Sequence, residues 1–317
     1  MKLFWGTLIW GFIAIFPAVL SQSFAAEKGT EKVRIAVSSK SLGFLDVWAA
    51  REKGFFRKHG LDAEVIAMRP PLAIAALQAG KIDYSFGAST ALRASISGLP
   101  VKLVSLGLRS TFHTLVAKPN IKSIPDLKGK IIAVTIGAAD DVVCRYLVRR
   151  GGLDPRTDVV FISMAGSDTR YQSLLTGSID ATGLSLPQFV MAKRRSFNVL
   201  GTAVDVLEMA TVGIGTSTRK LQQEREQVKK MIRSQLDTMK WVRNQKSDVV
   251  QFLRLFFELD DGVAAESYEI YSRLMIEDVR VLPQAVKTVL EQEGKAQLPL
   301  DRVADTTIVE EVLRERR

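Results

Sequence analysis

The chain is 317 residues long, 47% hydrophobic and formally charged +10, with 44 Lys and Arg against 34 Asp and Glu. So apolar a chain is not a disordered one, its length accommodates two cores of ordinary size, and a single cysteine excludes a disulfide framework. The positive balance speeds encounters with anions. Even so, the basic residues of 219–246 and of the tail Arg314, Arg316 and Arg317 are interspersed with acids, as on a solvated helix face, so no nucleic-acid partner is expected.

At the N-terminus Lys2 precedes an apolar run over 3–20, broken only by Thr7, glycines and Pro17, and Ser23-Phe24-Ala25 has the small-x-small form of a cleavage site. This predicts a secretory signal peptide over 1–25. An uncleaved anchor is the alternative, against which Pro17 and a run of only about 18 residues count. No lipid-accepting Cys stands at the cleavage site, so the mature protein is expected free in a periplasm. The one cysteine, Cys144, lies in a predicted helix beside Val142, Val143 and Leu147, the setting of a buried small hydrophobe.

The mature chain opens with an alternating, β-branched strand over 32–37, followed by the small polar run Ser38-Ser39-Lys40-Ser41-Leu42-Gly43. A helix carries Phe44, Val47 and Trp48 to Lys53-Gly54, 55–61 reads as a loop, and a second strand covers 62–67. Pro70-Pro71 pre-set a helix over 72–79. Its end, Leu77-Gln78-Ala79-Gly80-Lys81-Ile82-Asp83, recurs as Leu174-Leu175-Thr176-Gly177-Ser178-Ile179-Asp180, so a helix–Gly–strand unit is present twice. Each copy runs out into small residues that open a further helix, Gly87-Ala88-Ser89-Thr90 and Gly183-Leu184-Ser185-Leu186-Pro187. In open α/β sheets such strand ends and helix starts are where ligands bind.

A strand over 101–108 follows, then a crossing between lobes near 107–113. The second lobe begins with 114–117 and continues with strand 131–134, a helix opened by Gly137-Ala138-Ala139-Asp140-Asp141 and running to Arg150, strand 159–163, helix 168–176, strand 181–184, helix 187–195 and strand 197–200. Asp140 and Asp141 either cap their helix, with Asp141 and Arg145 as an i, i+4 pair, or reach a ligand. The Gly- and Thr-rich strand 211–217 returns the chain to the first lobe, with 212–216 read as the second crossing. Apolar periodicity then predicts helices over 219–244, 249–259 and 263–275. The βαβ succession predicts mostly parallel sheets.

No Walker loop, dinucleotide fingerprint, zincin motif or nucleophile elbow is present, and His59 and His113 are the only histidines. Neither catalysis nor a metal or cofactor is called for. His59 reads as a surface residue, and His113, at the inter-lobe crossing, either lines the cleft or is structural.

The runs Ala50-Arg51-Glu52-Lys53-Gly54-Phe55-Phe56-Arg57-Lys58-His59-Gly60-Leu61-Asp62 and Ala76-Leu77-Gln78-Ala79-Gly80-Lys81-Ile82-Asp83, followed by Ile124-Pro125-Asp126-Leu127-Lys128-Gly129-Lys130-Ile131-Ile132-Ala133-Val134 and Gly177-Ser178-Ile179-Asp180-Ala181, carry a resemblance. In order and spacing they resemble the substrate-binding proteins of ABC importers in the NMT1/THI5-like group, relatives of sulfonate, taurine and nitrate binders. The resemblance covers nearly all of the mature chain. It implies an α/β, two-lobed type II periplasmic binding fold with a two-strand hinge and a cleft, lobe 1 comprising 31–110 with 208–317 and lobe 2 comprising 111–207. It also implies a monomeric receptor that closes on a small-molecule ligand and docks on an inner-membrane ABC permease. A periplasmic lyase or dehydratase on the same fold is the alternative. The thiamin-precursor enzymes of the group carry a Cys-rich motif that Cys144 alone does not reproduce.

Carried over by position, the ligand-lining residues implied are Ser38, Ser39, Ser41 and Leu42 after the first strand, Ala88, Ser89 and Thr90, Gly137, Ala138 and Asp140, and Leu184 with Ser185. Arg93 lies one residue short of the carboxylate-gripping Arg of amino-acid binders of this fold, and reads either as a ligand contact or as an exposed helix residue. Hydroxyls and free N–H groups with few bulky aromatics suit a small ligand with acceptor oxygens, a carboxylate or sulfonate. Asp140 would oppose an anion unless its charge is spent on its own helix start.

Overall fold

The computed structural model describes residues 29–316 other than 165 and 206; the signal peptide predicted over 1–25 lies outside the described residues. Two five-stranded sheets form the framework. The first holds β1 (Glu31–Val37), β2 (Leu61–Ala67), β3 (Tyr84–Gly87) and β4 (Val101–Leu103), and the second holds β5 (Thr114–Ala117), β6 (Ile131–Val134), β7 (Val160–Ser163), β8 (Ala181–Leu184) and β9 (Asn198–Thr202). β10 (Val212–Ser217) returns to the first sheet, so the strand orders are β2-β1-β3-β10-β4 and β7-β6-β8-β5-β9.

Each sheet is half parallel, not mostly parallel. A parallel trio, β2-β1-β3 or β7-β6-β8, is followed by a strand running against it. That strand is β10 in one sheet and β5 in the other, the strand by which the chain arrives from the opposite sheet, and it is antiparallel to both its neighbours.

The duplicated motif does the same physical work in both sheets. Gly80 and Gly177 take the left-handed conformation, φ +65° and +76°, that ends the preceding helix, and Ile82 and Ile179 are buried. Asp83 accepts the Arg34 amide of β1 at 2.8 Å and Asp180 accepts the Ile131 amide of β6 at 3.0 Å. Each carboxylate also holds a lysine, Lys220 at 2.8 Å and Lys118 at 2.9 Å.

Several predicted boundaries are corrected. Phe55–Lys58 is a short helix within the expected loop, because Gly54 at φ +77° restarts the chain and Phe56 is buried beneath it. The strand expected over 101–108 ends at Leu103. Beyond it the Val104 amide bonds the Ile214 carbonyl at 2.8 Å and the Gly107 amide the Val212 carbonyl at 3.0 Å, so the backbone still follows β10, while the Leu106 amide turns to the Val279 carbonyl at 3.0 Å and the Arg109 amide to the Leu274 carbonyl at 3.0 Å. Residues 212–216 are strand, and the second crossing lies upstream at 203–211. The crossings are paired there: the Met209 amide donates to the Arg109 carbonyl at 3.1 Å, the Ala203 amide to the His113 carbonyl at 2.9 Å, and the Ser110 hydroxyl to the Leu207 carbonyl. The helix expected over 219–244 is interrupted at Glu224, giving Thr218–Gln223 and Arg225–Asn244.

The C-terminal helices bridge the halves. One core cluster runs from Ile35 and Tyr84 in the first sheet to Val116 and Leu184 in the second. It passes Phe112 of the first crossing, stacked 5.7 Å from Tyr271 of the helix Asp261–Leu274. That helix also meets Gln188–Arg194, where Lys193 pairs with Glu266 at 2.7 Å. Among the described residues no helix is long and apolar enough to cross a membrane.

Candidate functional site

A cleft of about 720 Å³ opens between the two sheets. Its walls are the C-terminal ends of β1 and β3 with the loops and helix starts that follow, the matching ends of β6 and β8, and the two crossings at its back. That is the edge where a parallel trio leaves helix N–H groups unpaired.

Ten of the twelve residues implied by the resemblance line it: Ser38, Ser39, Ser41, Leu42, Ser89, Thr90, Gly137, Ala138, Asp140 and Ser185. Ala88 and Leu184 do not. Ala88 is fully buried against Leu92 and Leu103, its amide bonded to the Thr211 carbonyl at 3.1 Å, and Leu184 is fully buried at the end of β8, facing the core. Of the residues left open, His113 and Arg93 line the cleft. Arg93 is held by Glu293 at 2.7 Å.

The two aspartates at the start of the helix Ala139–Arg150 have separate jobs. Asp141 accepts the Gly137 amide at 3.0 Å and Arg145 Nε at 2.6 Å, the predicted capping and i, i+4 pairing. Asp140 instead accepts the Thr135 amide at 2.6 Å and faces the buried Arg170, whose Nη2 lies 3.2 Å away. Its charge is therefore met by a guanidinium, not by its own helix. Arg170 was not singled out from sequence, although it carries a signal: it stands four residues before Leu174, on the buried stripe of the helix Ser167–Leu175.

Two groups with chemical potential are shifted by burial. Burial pushes the His113 imidazole below its ordinary pKa, against the pull of Asp140 and with Arg170 adding to the effect, and its Nδ1 lies 2.5 Å from the Thr111 hydroxyl. Burial pushes the Cys144 thiol up, with Asp140 reinforcing it. Cys144 Sγ also packs so closely on Gly183 that a Cβ there would sit 2.9 Å from it.

The expectation of few aromatics is overturned. Phe44, Phe112, Phe256 and Phe257 all line the cleft. The last two end the helix Lys246–Phe257, beyond all four predicted loops in sequence and brought to the rim only by the C-terminal fold. Phe256 is stacked on Phe252 at 5.1 Å, backed by Trp48 at 5.7 Å, and covered by the Lys40 ammonium at 4.3 Å. Charges lining the cleft balance: Lys40, Arg93 and Arg170 against Asp140, Asp168 and Glu258.

This architecture is shared with solved proteins. The alkanesulfonate-binding protein SsuA of Xanthomonas axonopodis pv. citri, bound to MOPS, superposes with a TM-score of 0.69 at 16% identity, over 90% of this chain and 98% of that one. The periplasmic nitrate-binding protein NrtA of Synechocystis PCC 6803 superposes with a TM-score of 0.70 at 13% identity, over 90% of this chain and 89% of that one. At those identities the likeness establishes the two-lobed periplasmic binding fold. In sequence, a Brucella abortus (strain 2308) protein named as a binding protein is 32% identical over 139 residues, 44% of this chain and 43% of that protein's length. The model of the NMT1/THI5 like family matches residues 42–248, the greater part of the chain, with Leu42 of the first cleft-lining segment and all of the other three, and the chain belongs to that family.

Proposed function

We propose that the chain is the solute receptor of an ABC-type importer, working in the periplasm as a monomer and capturing a small polar or anionic molecule by closing two lobes upon it. The observation that carries this reading is the cleft: about 720 Å³, rimmed by hydroxyls and helix starts from both sheets, with two paired crossings at its back. A ligand that touches both walls has differential affinity for the closed state and shifts the population toward it. On this reading lobe 1 is 31–110 with 208–317, lobe 2 is 111–207, the importer's membrane permease is the partner, and residues 1–25 are the export signal. The names of its relatives and structural neighbours as binding proteins support it.

The aromatic wall refines the ligand. A site with four phenylalanines beside hydroxyls suits a molecule with an apolar or flat portion as well as acceptor oxygens. Binding rather than turnover is supported by Cys144, buried with its thiol pushed up and so not poised as a nucleophile. The test is to saturate the protein with candidate solutes, recover the bound compound by mass spectrometry and record small-angle scattering. An unchanged compound with a more compact particle is expected; a converted compound would establish an enzyme, and an unchanged scattering profile at saturation would defeat lobe closure.

A further inference from the structure

Arginine is seldom fully buried without a matched set of acceptors, and Arg170 is 2% exposed on the floor of the cleft. Its Nε donates to the Gly183 carbonyl at 3.0 Å, and its Nη1 donates to the Thr135 hydroxyl at 2.7 Å and to the Met164 carbonyl at 2.8 Å. Those bonds engage three of the guanidinium's five N–H donors. The remaining nitrogen, Nη2, faces Asp140 Oδ2 at 3.2 Å, while that oxygen takes its short hydrogen bond, 2.6 Å, from the Thr135 amide. The guanidinium is thus fixed along one edge, with its other nitrogen beside a carboxylate that is bonded elsewhere.

We propose that Arg170 is the residue that selects the ligand's charge: an oxyanion group, a carboxylate or sulfonate, docks on its Nη2, and Asp140 is the resident carboxylate with which that group competes. The proposal rests on the receptor reading above. A guanidinium held by Gly183, Met164 and Thr135 needs no ordering when the ligand arrives, and its Nη2 presents two N–H donors at a fixed position, which an ammonium on a flexible stem does not. Asp140 serves two opposed ends. It neutralises a cation that would otherwise be buried alone, and by like-charge repulsion it weakens every oxyanion bound beside it.

The two roles separate in the mature chain. Beyond residue 28 its tryptophans are Trp48 and Trp241, both within the aromatic cluster behind Phe256, so intrinsic fluorescence reports on the cleft wall. The probes are benzoate, benzenesulfonate, benzamide and benzylamine with the matched butyl series, followed by fluorescence and by thermal shift. The acids alone should bind the wild type. Arg170→Lys, which keeps the charge and loses the fork, should weaken them about tenfold, and Asp140→Asn should tighten them about threefold or more. Should Arg170→Lys fail to fold, the Asp140→Asn arm decides by itself. Amide or amine binding as tightly as the acids, an unchanged affinity in Arg170→Lys, or weaker acid binding in Asp140→Asn would each overturn the proposal while leaving the receptor reading intact. Failure of all eight solutes to bind the wild type would overturn both.

Discussion

Replacing Asp46 with Asn should stabilise the protein at neutral pH and change little in acid. Asp46 is 1% exposed in the helix Leu45–Glu52, directly beneath the first crossing: a Cβ on Gly107 would lie 2.9 Å from its Oδ2. Its partners are neutral. Oδ1 accepts the Val47 amide at 2.9 Å and Oδ2 accepts Gln235 Nε2 at 2.8 Å, while Gln235 Oε1 accepts the Ser105 hydroxyl at 2.7 Å. Burial pushes the carboxyl from 3.8 up to about 6, against the pull of those hydrogen bonds. A rise of about two units, at about 1.4 kcal/mol each, means that the buried charge costs on the order of 3 kcal/mol. Because the folded pKa lies above the unfolded one, that penalty is fully present above about pH 6, fades as pH falls from about 6 to 3.8, and is absent below. Asn fits without loss if the Gln235 amide and Ser105 hydroxyl reverse together, since each can donate or accept. Melting curves at pH 7.5 should therefore show Asp46→Asn higher in Tm by about 5 °C or more, and curves at pH 4 should nearly coincide. A lower Tm at pH 7.5, or the same shift at both pH values, would refute the reasoning.

Four further outcomes are expected. Gly183→Ala should cost about 1–3 kcal/mol in urea unfolding through overpacking, since its Cβ would lie 2.9 Å from Cys144 Sγ and 3.1 Å from Asp140 Cβ. Adding Cys144→Ala should recover part of that loss, and strict additivity would show that the two sites do not touch. Asp83→Ala and Asp180→Ala should be alike, each costing about 1–3 kcal/mol, because each carboxylate holds one strand amide and one lysine; a neutral result at either would break the structural equivalence of the two copies. Cys144, buried with its thiol pushed up, should resist iodoacetamide at pH 8 until the protein unfolds, and labelling at the rate of a free thiol would place it at the surface. In an expressing cell the mature N-terminus should lie within two residues of Ala26, and a chain intact from Met1 in the inner membrane would make the apolar run an anchor.

Local rules, read from the sequence alone, settled the duplicated framework. A glycine that ends a helix, a buried isoleucine and an aspartate that ties two strands together are short-range devices, so Gly80-Lys81-Ile82-Asp83 and Gly177-Ser178-Ile179-Asp180 announced two like sheets and the edges at which each presents loops. The same locality placed the serines and helix starts at the cleft, because strand ends in a βαβ unit all emerge on one side. Side-chain direction at the strand ends was harder to read: Ala88 and Leu184 sit in the right segments and face the core. What depended on distant parts of the chain meeting was decided only by the tertiary structure. The antiparallel β5 and β10 reflect which sheet each strand joins, not its own residues. Phe256 and Phe257 reach the rim because helices after β10 fold back over the crossings, and the charge of Asp140 is governed by Arg170, thirty residues on, whose guanidinium is held by carbonyls and a hydroxyl of three separate segments. Periodicity records which way a residue faces within its own element; it holds no record of the element that comes to lie against it.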